Sequence, residues 1–415
     1  MCVSPLDNPL NMAINLLYIE LLKEILENII DSHHLFSCIL VNRIWCRTGV
    51  PILWRSPNPS EKSLLPLVTS YLRCLPEEQI KCLKDENIPL PNEKTPIFDY
   101  PFFLKTLDLK LINDMSKIWI NNSGNKNHID FLKEIFVAYF LEQAEKISFI
   151  HLNESARTLA INQNAPNLKR FRKLHISSWK DETSFMEKIT DHLQLISAEC
   201  VNCKTKSLAL ASLIQKQKYL QHLKLLYTSN DDYCSIIFKS LPSQSNSLKK
   251  LELHRVNLNT IDSWESCYNL KALEIRNCMG TRDFSSNPWK PIFPNLQNLI
   301  IINYDHNRQF FVPFIVKIIE AAAKNLLHFK CSMLGDMSEI ITSIALNCPN
   351  IHHLDLQSSS SSQIILILNS CHKLKTLKVY SNDINEFAFT EMIKHIKSLK
   401  KFLVIGSRDH QSLYC

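Results

Sequence analysis

One spacing dominates the C-terminal half of this chain: apolar-x-x-apolar-x-apolar. It reads Leu248, Leu251, Leu253; Leu270, Leu273, Ile275; Leu296, Leu299, Ile301; Leu326, Phe329, Cys331; Ile351, Leu354, Leu356; Leu374, Leu377, Val379; and Leu399, Phe402, Val404. The starts are separated by 22, 26, 30, 25, 23 and 25 residues. The last two positions of each copy alternate as residues on one face of a short strand do, and the first closes the turn leading onto that strand. A unit of this length cannot bury its apolar face alone, so neighbouring copies must stack and share a continuous core. At 415 residues the chain also exceeds what one compact core supports.

Weaker copies precede these, at Leu104, Leu107, Leu109; Ala144, Ile147, Phe149; Phe171, Leu174, Ile176; and Leu220, Leu223, Leu225. The 49 residues from Phe171 to Leu220 leave room for one more copy, through Leu195 to Val201. Ten or eleven copies are clear, and about twelve are expected. Between them the pattern turns helical. Ile315, Ile318, Ile319, Ala322 and Ala323 share one side of 314–327. Asp336 with Glu339 has the form of a cap and its reciprocal acid, and Asn382 or Asp383 precedes Phe387, Phe389, Met392, Ile393 and Ile396. Three residues before the first apolar position stand Cys267, Phe293, Ala323, Cys348, Cys371 and Ile396, sized to pack under the turn.

The boundaries Ala165-Pro-Asn-Leu168, Phe293-Pro-Asn-Leu296 and Cys348-Pro-Asn-Ile351 resemble those of the cysteine-containing leucine-rich repeats, over residues 165–405. The resemblance implies an α/β solenoid, a horseshoe of alternating strands and helices whose strands line a concave face. The residues between and after the inward positions would then face solvent: Glu252, His254, Glu274, Arg276, Ile300, Ile302 and Tyr380, with Tyr304 close behind. Ile300 and Ile302 with Tyr304, or Tyr380 with Leu403 and Ile405, would form exposed apolar patches of the kind that mark a protein interface.

Residues 15–55 carry no repeat. Leu17, Leu21, Leu22, Ile25, Leu26, Ile29 and Ile30 form one helical stripe, Leu35, Phe36, Ile39, Leu40 and Val41 a second, and Trp45, Val50, Ile52, Leu53 and Trp54 a third. The segments Leu17-Tyr18-Ile19-Glu20-Leu21-Leu22, Leu40-Val41-Asn42-Arg43-Ile44-Trp45 and Pro51-Ile52-Leu53-Trp54-Arg55 resemble the F-box family. Tyr18 departs from it, standing where the family usually has proline at the start of the first helix. The resemblance implies docking to a Skp-type adaptor, and through it to a cullin, by Leu17, Glu20, Leu21, Leu22, Ile25, Leu26, Val41, Trp45, Leu53 and Trp54.

The expected organisation is a tail over 1–14, an F-box-like helical domain over 15–56, a proline-rich connector over 57–101 with a helix near Leu64 to Leu75, and the solenoid over 102–415. The expected function is the substrate-recognition subunit of a ubiquitin ligase, with an unidentified protein target. The alternative is a repeat scaffold that engages no ligase.

Other classes find little support. Five glycines, none close to another, build no phosphate-cradling loop. A formal net charge of +7, spread along the chain without aromatic interleaving, does not point to nucleic acid. No run of about 20 apolar residues suits a membrane span, and Met1 to Asn11 does not read as a secretory signal. Fourteen scattered cysteines fit reduced core thiols, so a cytoplasmic or nuclear location is expected. Cys200 with Cys203 has half a zinc spacing and lacks the other half, while Cys371-His372 and His352-His353 fall at repeat boundaries. No metal, cofactor or catalytic residue is therefore expected. Ser358 to Ser362 reads as a loop and helix cap.

Overall fold

The computed structural model describes residues 9–92, 95–123, 128–152, 166–177, 190–201, 207–226, 234–258, 267–279, 293–303, 311–333, 336–357, 360–380, 390, 393–394, 399–405 and 412–414. The chain forms two compact units, Met1–Arg172 and Lys173–Cys415.

The first unit opens with α1 (Pro9–Glu27), α2 (Ser32–Ile39) and α3 (Arg43–Leu53). Asp31 caps α2 by accepting from the His33 N–H, and Asn42 caps α3 by accepting from Ile44 and Trp45. Leu22, Leu26, Leu35 and Ile52 form their shared core, with Ile29, Cys38, Trp45 and Leu53 packed against it. Gly49 is needed there, because a Cβ would lie 2.5 Å from Ile39 Cγ2. α1 begins at Pro9, so Tyr18 sits in the middle of a helix and not at its start.

The 57–101 segment holds two helices where one was expected: α4 (Glu61–Arg73) and α5 (Glu77–Asp85). Leu67, Val68, Tyr71, Leu72, Leu75 and Leu83 are buried. Strand β1 (Thr106–Asp108), α6 (Leu109–Ser123), α7 (Ile129–Gln143) and β2 (Phe149–Leu152) follow, β1 and β2 pairing in parallel. In β2 the inward residues are Ile150 and Leu152, with Leu107 opposite Ile150. The repeat there is Ile147, Ile150, Leu152, so the Ala144, Ile147, Phe149 frame is corrected by three residues. Both frames are apolar, and only pairing with β1 separates them.

The second unit is a ladder of strands β3 (Lys173–Ser177), β4 (Ser197–Val201), β5 (His222–Leu226), β6 (Lys250–His254), β7 (Ala272–Arg276), β8 (Asn298–Asn303), β9 (His328–Met333), β10 (His353–Gln357), β11 (Thr376–Tyr380) and β12 (Lys401–Ile405). Each pairs in parallel with the next, and β13 (Ser412–Tyr414) closes β12 antiparallel. β4 supplies the copy expected between Leu195 and Val201, with Leu195, Ala198 and Cys200 buried. Helices α8 (Ser207–Lys216), α9 (Cys234–Ser240), α10 (Phe311–Ala322), α11 (Ser338–Asn347) and α12 (Ser361–Ser370) return the chain between strands.

The repeat has a hydrogen-bonding logic. The first apolar residue donates its N–H to the carbonyl three residues earlier, as Leu270 does to Cys267 at 3.0 Å and Ile351 to Cys348 at 3.2 Å. Single carbonyls then accept two successive N–H groups of the next copy. Lys249 and Lys250 both donate to Gln221, and His352 and His353 both donate to Leu327. The asparagine of the boundary motif bridges copies with its side chain: Asn295 Nδ2 donates to the Tyr268 carbonyl at 3.1 Å and Asn350 Nδ2 to the Lys324 carbonyl at 2.8 Å. Ser360 and Gln363 form a reciprocal capping box on α12. At α11, Asp336 accepts from the backbone and hydroxyl of Ser338. Behind Asn382 and Asp383, Ile393 is exposed rather than on a buried stripe, and Phe387, Phe389, Met392 and Ile396 lie outside the described residues.

Candidate binding faces

The open face of the strand ladder is built by the residues that alternate with its core. Along the middle row run His175, Glu199, Lys224, Glu252, Glu274, Ile300, Lys330, Asp355, Lys378 and Leu403, one per strand. Parallel pairing sets such neighbours about 4.8 Å apart, so their charges meet directly. Glu199 holds Lys224 at 2.5 Å and His175 at 3.4 Å, and Asp355 holds Lys330 at 2.9 Å. Burial raises the Glu199 carboxyl, but the bond and charge of Lys224, then His175, outweigh it and hold the group below its ordinary value.

The most enclosed part of this face lies on β6 and β7. His254 Nε2 is 3.4 Å from Glu274 and 3.9 Å from Glu252, Lys250 pairs with Glu252 at 2.6 Å, and Arg276 donates to Glu274. Burial holds the His254 imidazole below its ordinary value despite Glu274, so it is neutral near pH 7. The ligand atoms of Glu252, His254 and Glu274 lie within 4.8 Å of one another, a set able to hold a metal ion. Arg276 and Lys250 already neutralise those carboxylates.

Two residues expected to face solvent do not. Glu274 keeps 8% exposure and Ile302 keeps 9%. Glu274 is flanked on the ladder by Glu252 and Ile300 and covered by its own Arg276 partner, while Ile302 lies between Arg276 and Ser332. Ile300 is half-buried and Leu403 buried, so neither expected apolar patch is open at these positions. Tyr380 is half-buried with Lys378 Nζ 5.1 Å from its ring centre. Tyr304 lies outside the described residues.

The boundary cysteines and histidines form no reactive pair. Cys267, Cys331 and Cys348 are each pushed up to about 12 by burial, and Cys371 to about 11. A thiol so raised stays protonated and inert at neutral pH. His353 stacks on His328 with ring centres 4.4 Å apart. Cys200 is buried in β4, and Cys203 lies outside the described residues.

A second face lies on the N-terminal helices. Leu17, Leu21 and Ile25 recur along one side of α1 and keep 58, 51 and 59% exposure, and Val41 after α2 keeps 61%. Phe36 and Leu40 are also exposed. Glu20 lies beside this stripe, exposed. Leu22 and Leu26 belong to the core below it, with Trp45 and Leu53 packed against that core. Trp54 stacks on Tyr100 at 3.9 Å and meets Tyr71 edge-on at 5.3 Å. Of the ten residues singled out on the sequence, those at 17, 20, 21, 25 and 41 are therefore open to solvent and the others pack inside.

Parallel strands in register, a shared core under every copy and an open, charged strand face define a solenoid of the leucine-rich-repeat type, a scaffold fold. No family model matches the sequence, and no curated protein matches it. Among solved structures the chain is similar to a TLR13–ssRNA13 complex, at 18% identity over 65% of this chain and 38% of that one, with a TM-score of 0.37. It is also similar to an internalin (inlF) from Listeria monocytogenes str. 4b F2365, at 15% identity over 66% of this chain and 70% of that one, with a TM-score of 0.34. Likenesses this distant add nothing to the fold, which rests on the ladder and the repeat. No helix among the described residues is long and apolar enough to cross a membrane.

Proposed function

We propose that this chain is a substrate-recognition subunit of a Skp–cullin ubiquitin ligase, in which the N-terminal helices dock the adaptor and the strand face of the repeats holds a protein target. The observation that carries the reading is the row of exposed apolar side chains at Leu17, Leu21, Ile25, Leu40 and Val41, on helices whose own core is already filled by Leu22, Leu26, Leu35 and Ile52. Apolar side chains in such a row mark an interface. In this reading Leu17, Glu20, Leu21, Ile25 and Val41 touch the adaptor, while Leu22, Leu26, Trp45, Leu53 and Trp54 hold the helices in place. Ubiquitin transfer, in this reading, belongs to other subunits.

A second reading, a scaffold that engages no ligase, draws on α1. The helix runs unbroken from Pro9 through Tyr18, so the family's proline start is replaced by about two extra turns. Co-purification with a recombinant Skp-type adaptor separates the two. Stoichiometric recovery that is lost in Leu21→Glu/Ile25→Glu supports the ligase reading. No recovery with the wild-type chain sinks it and leaves the scaffold.

A further inference from the structure

A groove of about 580 Å³ lies within the first unit, on a different side of α1 from the exposed apolar row. Ile19, Lys23 and Glu27 of α1 form one wall, with steps of four residues that keep them on one side. Arg47 of α3 and Arg55, just beyond its C-terminal end, form the second. Phe103, Lys105 and Lys146, from the approaches to β1 and β2, form the third.

The charge of this groove is one-sided. Lys23, Arg47, Arg55, Lys105 and Lys146 face a single acid, Glu27, which Arg55 holds at 3.4 Å. Among the described residues Lys23, Arg47 and Lys105 make no ion pair. On the strand face, by contrast, Lys224 is matched by Glu199 and Lys330 by Asp355. The lining between the cations is apolar, with Ile19, Ile44, Ile52 and Phe103, and Ile19 and Ile44 are exposed.

The walls are also fixed in place. The N–H groups of Lys105 and Thr106 both donate to the Arg55 carbonyl, at 2.8 and 3.2 Å, and those of Ser148 and Phe149 both donate to the Lys105 carbonyl. A preformed concave site with an apolar lining and convergent charges is what a small segment of ligand requires.

We propose that this groove binds an acidic peptide segment, one or more apolar side chains against the apolar lining with aspartate or glutamate carboxylates on either side. Extended peptide suits it better than a bare anion, because the apolar lining would be wasted on phosphate and the five cations come from three separate walls. The two arginines supply forked donors matched to carboxylates. The site is independent of the adaptor reading, since it uses the opposite side of α1.

The test is selection of a degenerate seven-residue peptide library on the full chain. The expected pool is enriched in Asp and Glu around an apolar residue. It should bind at least about tenfold more weakly to Arg47→Glu/Lys146→Glu and more tightly to Glu27→Gln, with affinity falling as salt rises from about 50 to about 300 mM. The opposite sign of Glu27→Gln separates a charge effect from a folding defect, as does an unchanged melting temperature in both variants. A pool no richer in acids than the starting library, or one retained equally by the charge-reversed variant, overturns the proposal. So does preferential displacement by a single-stranded oligonucleotide, which would reassign the groove to nucleic acid.

Discussion

The backbone N–H of Lys105 donates to the carbonyl of Arg55 at 2.8 Å, and Thr106 shares that acceptor. Gln221 receives Lys249 and Lys250 in the same forked way where one repeat meets the next. The last turn after α3 thus stands where a preceding repeat would stand. The helical segment is a structural beginning for β1, joined to it by the same bonds that join repeats.

Trp54 seals that junction through Tyr100 and Tyr71. Trp54→Ala should cost about 2–3 kcal/mol, below the cost for a fully buried ring because the side chain is only half-buried. Urea denaturation measures the loss, and hydrogen exchange should show faster opening at residues 105–108. Unchanged exchange there would mean that β1 does not depend on this ring.

The boundary asparagines contribute between repeats. Asn350→Ala removes the donor to the Lys324 carbonyl and the acceptor for Lys373 Nζ, which lie on two different neighbours. A loss of about 1 kcal/mol is expected in the urea midpoint, since both groups remain within reach of water. Asn350→Asp should cost more, because a carboxylate cannot donate to a carbonyl.

Stability should fall as the medium is acidified below the ordinary histidine value of 6.5. The folded chain holds His254 below that value by burial, and His222 and His328 are lowered by the same cause. Between the depressed folded value and 6.5 the unfolded chain binds more protons, so acid favours unfolding there. Melting temperature should be flat above about pH 7 and decline toward about pH 5, with a shallower decline in His254→Gln. An equal slope in the two proteins would remove His254 from the account.

The boundary and strand thiols should resist modification. Cys278 and Cys331 are each raised to about 12 by burial, like Cys267 and Cys348, whereas Cys82 is exposed. Iodoacetamide in native buffer should label Cys82 and spare these four until denaturant is added, as read by peptide mass spectrometry. Early labelling of Cys348 would show that its repeat opens locally.

Much of the ladder is legible because one period repeats with strongly apolar residues, and from Leu251 to Phe402 the expected inward strand positions are buried. Where alanine or phenylalanine offered a second apolar frame, at 144–149, the choice needed β1 as a partner. α5 is not legible in the sequence because a helix of Glu77, Glu78, Lys81 and Lys84 with only Leu83 buried carries almost no apolar period. The helical stripe at Leu17, Leu21 and Ile25 was visible, while the division between its exposed row and the core at Leu22 and Leu26 depends on where α2 and α3 pack. Polar burial was hidden altogether. Gln244 donates to the carbonyls of Ile214 and Gln217, both at 2.7 Å, and Gln217 in turn accepts from the Leu195 N–H, yet both glutamines look like loop residues in the chain. The basic groove was equally hidden, since its walls are drawn from 19–55 and 103–146.

β13 runs against the direction of every other strand it could have joined, laying Leu403 opposite Tyr414 and Ile405 opposite Ser412. An uncovered β12 would present a row of unpaired N–H and C=O groups. One reversed strand of three residues occupies that row. Its removal should bare the β12 edge and raise self-association, read by light scattering, before it alters any binding face.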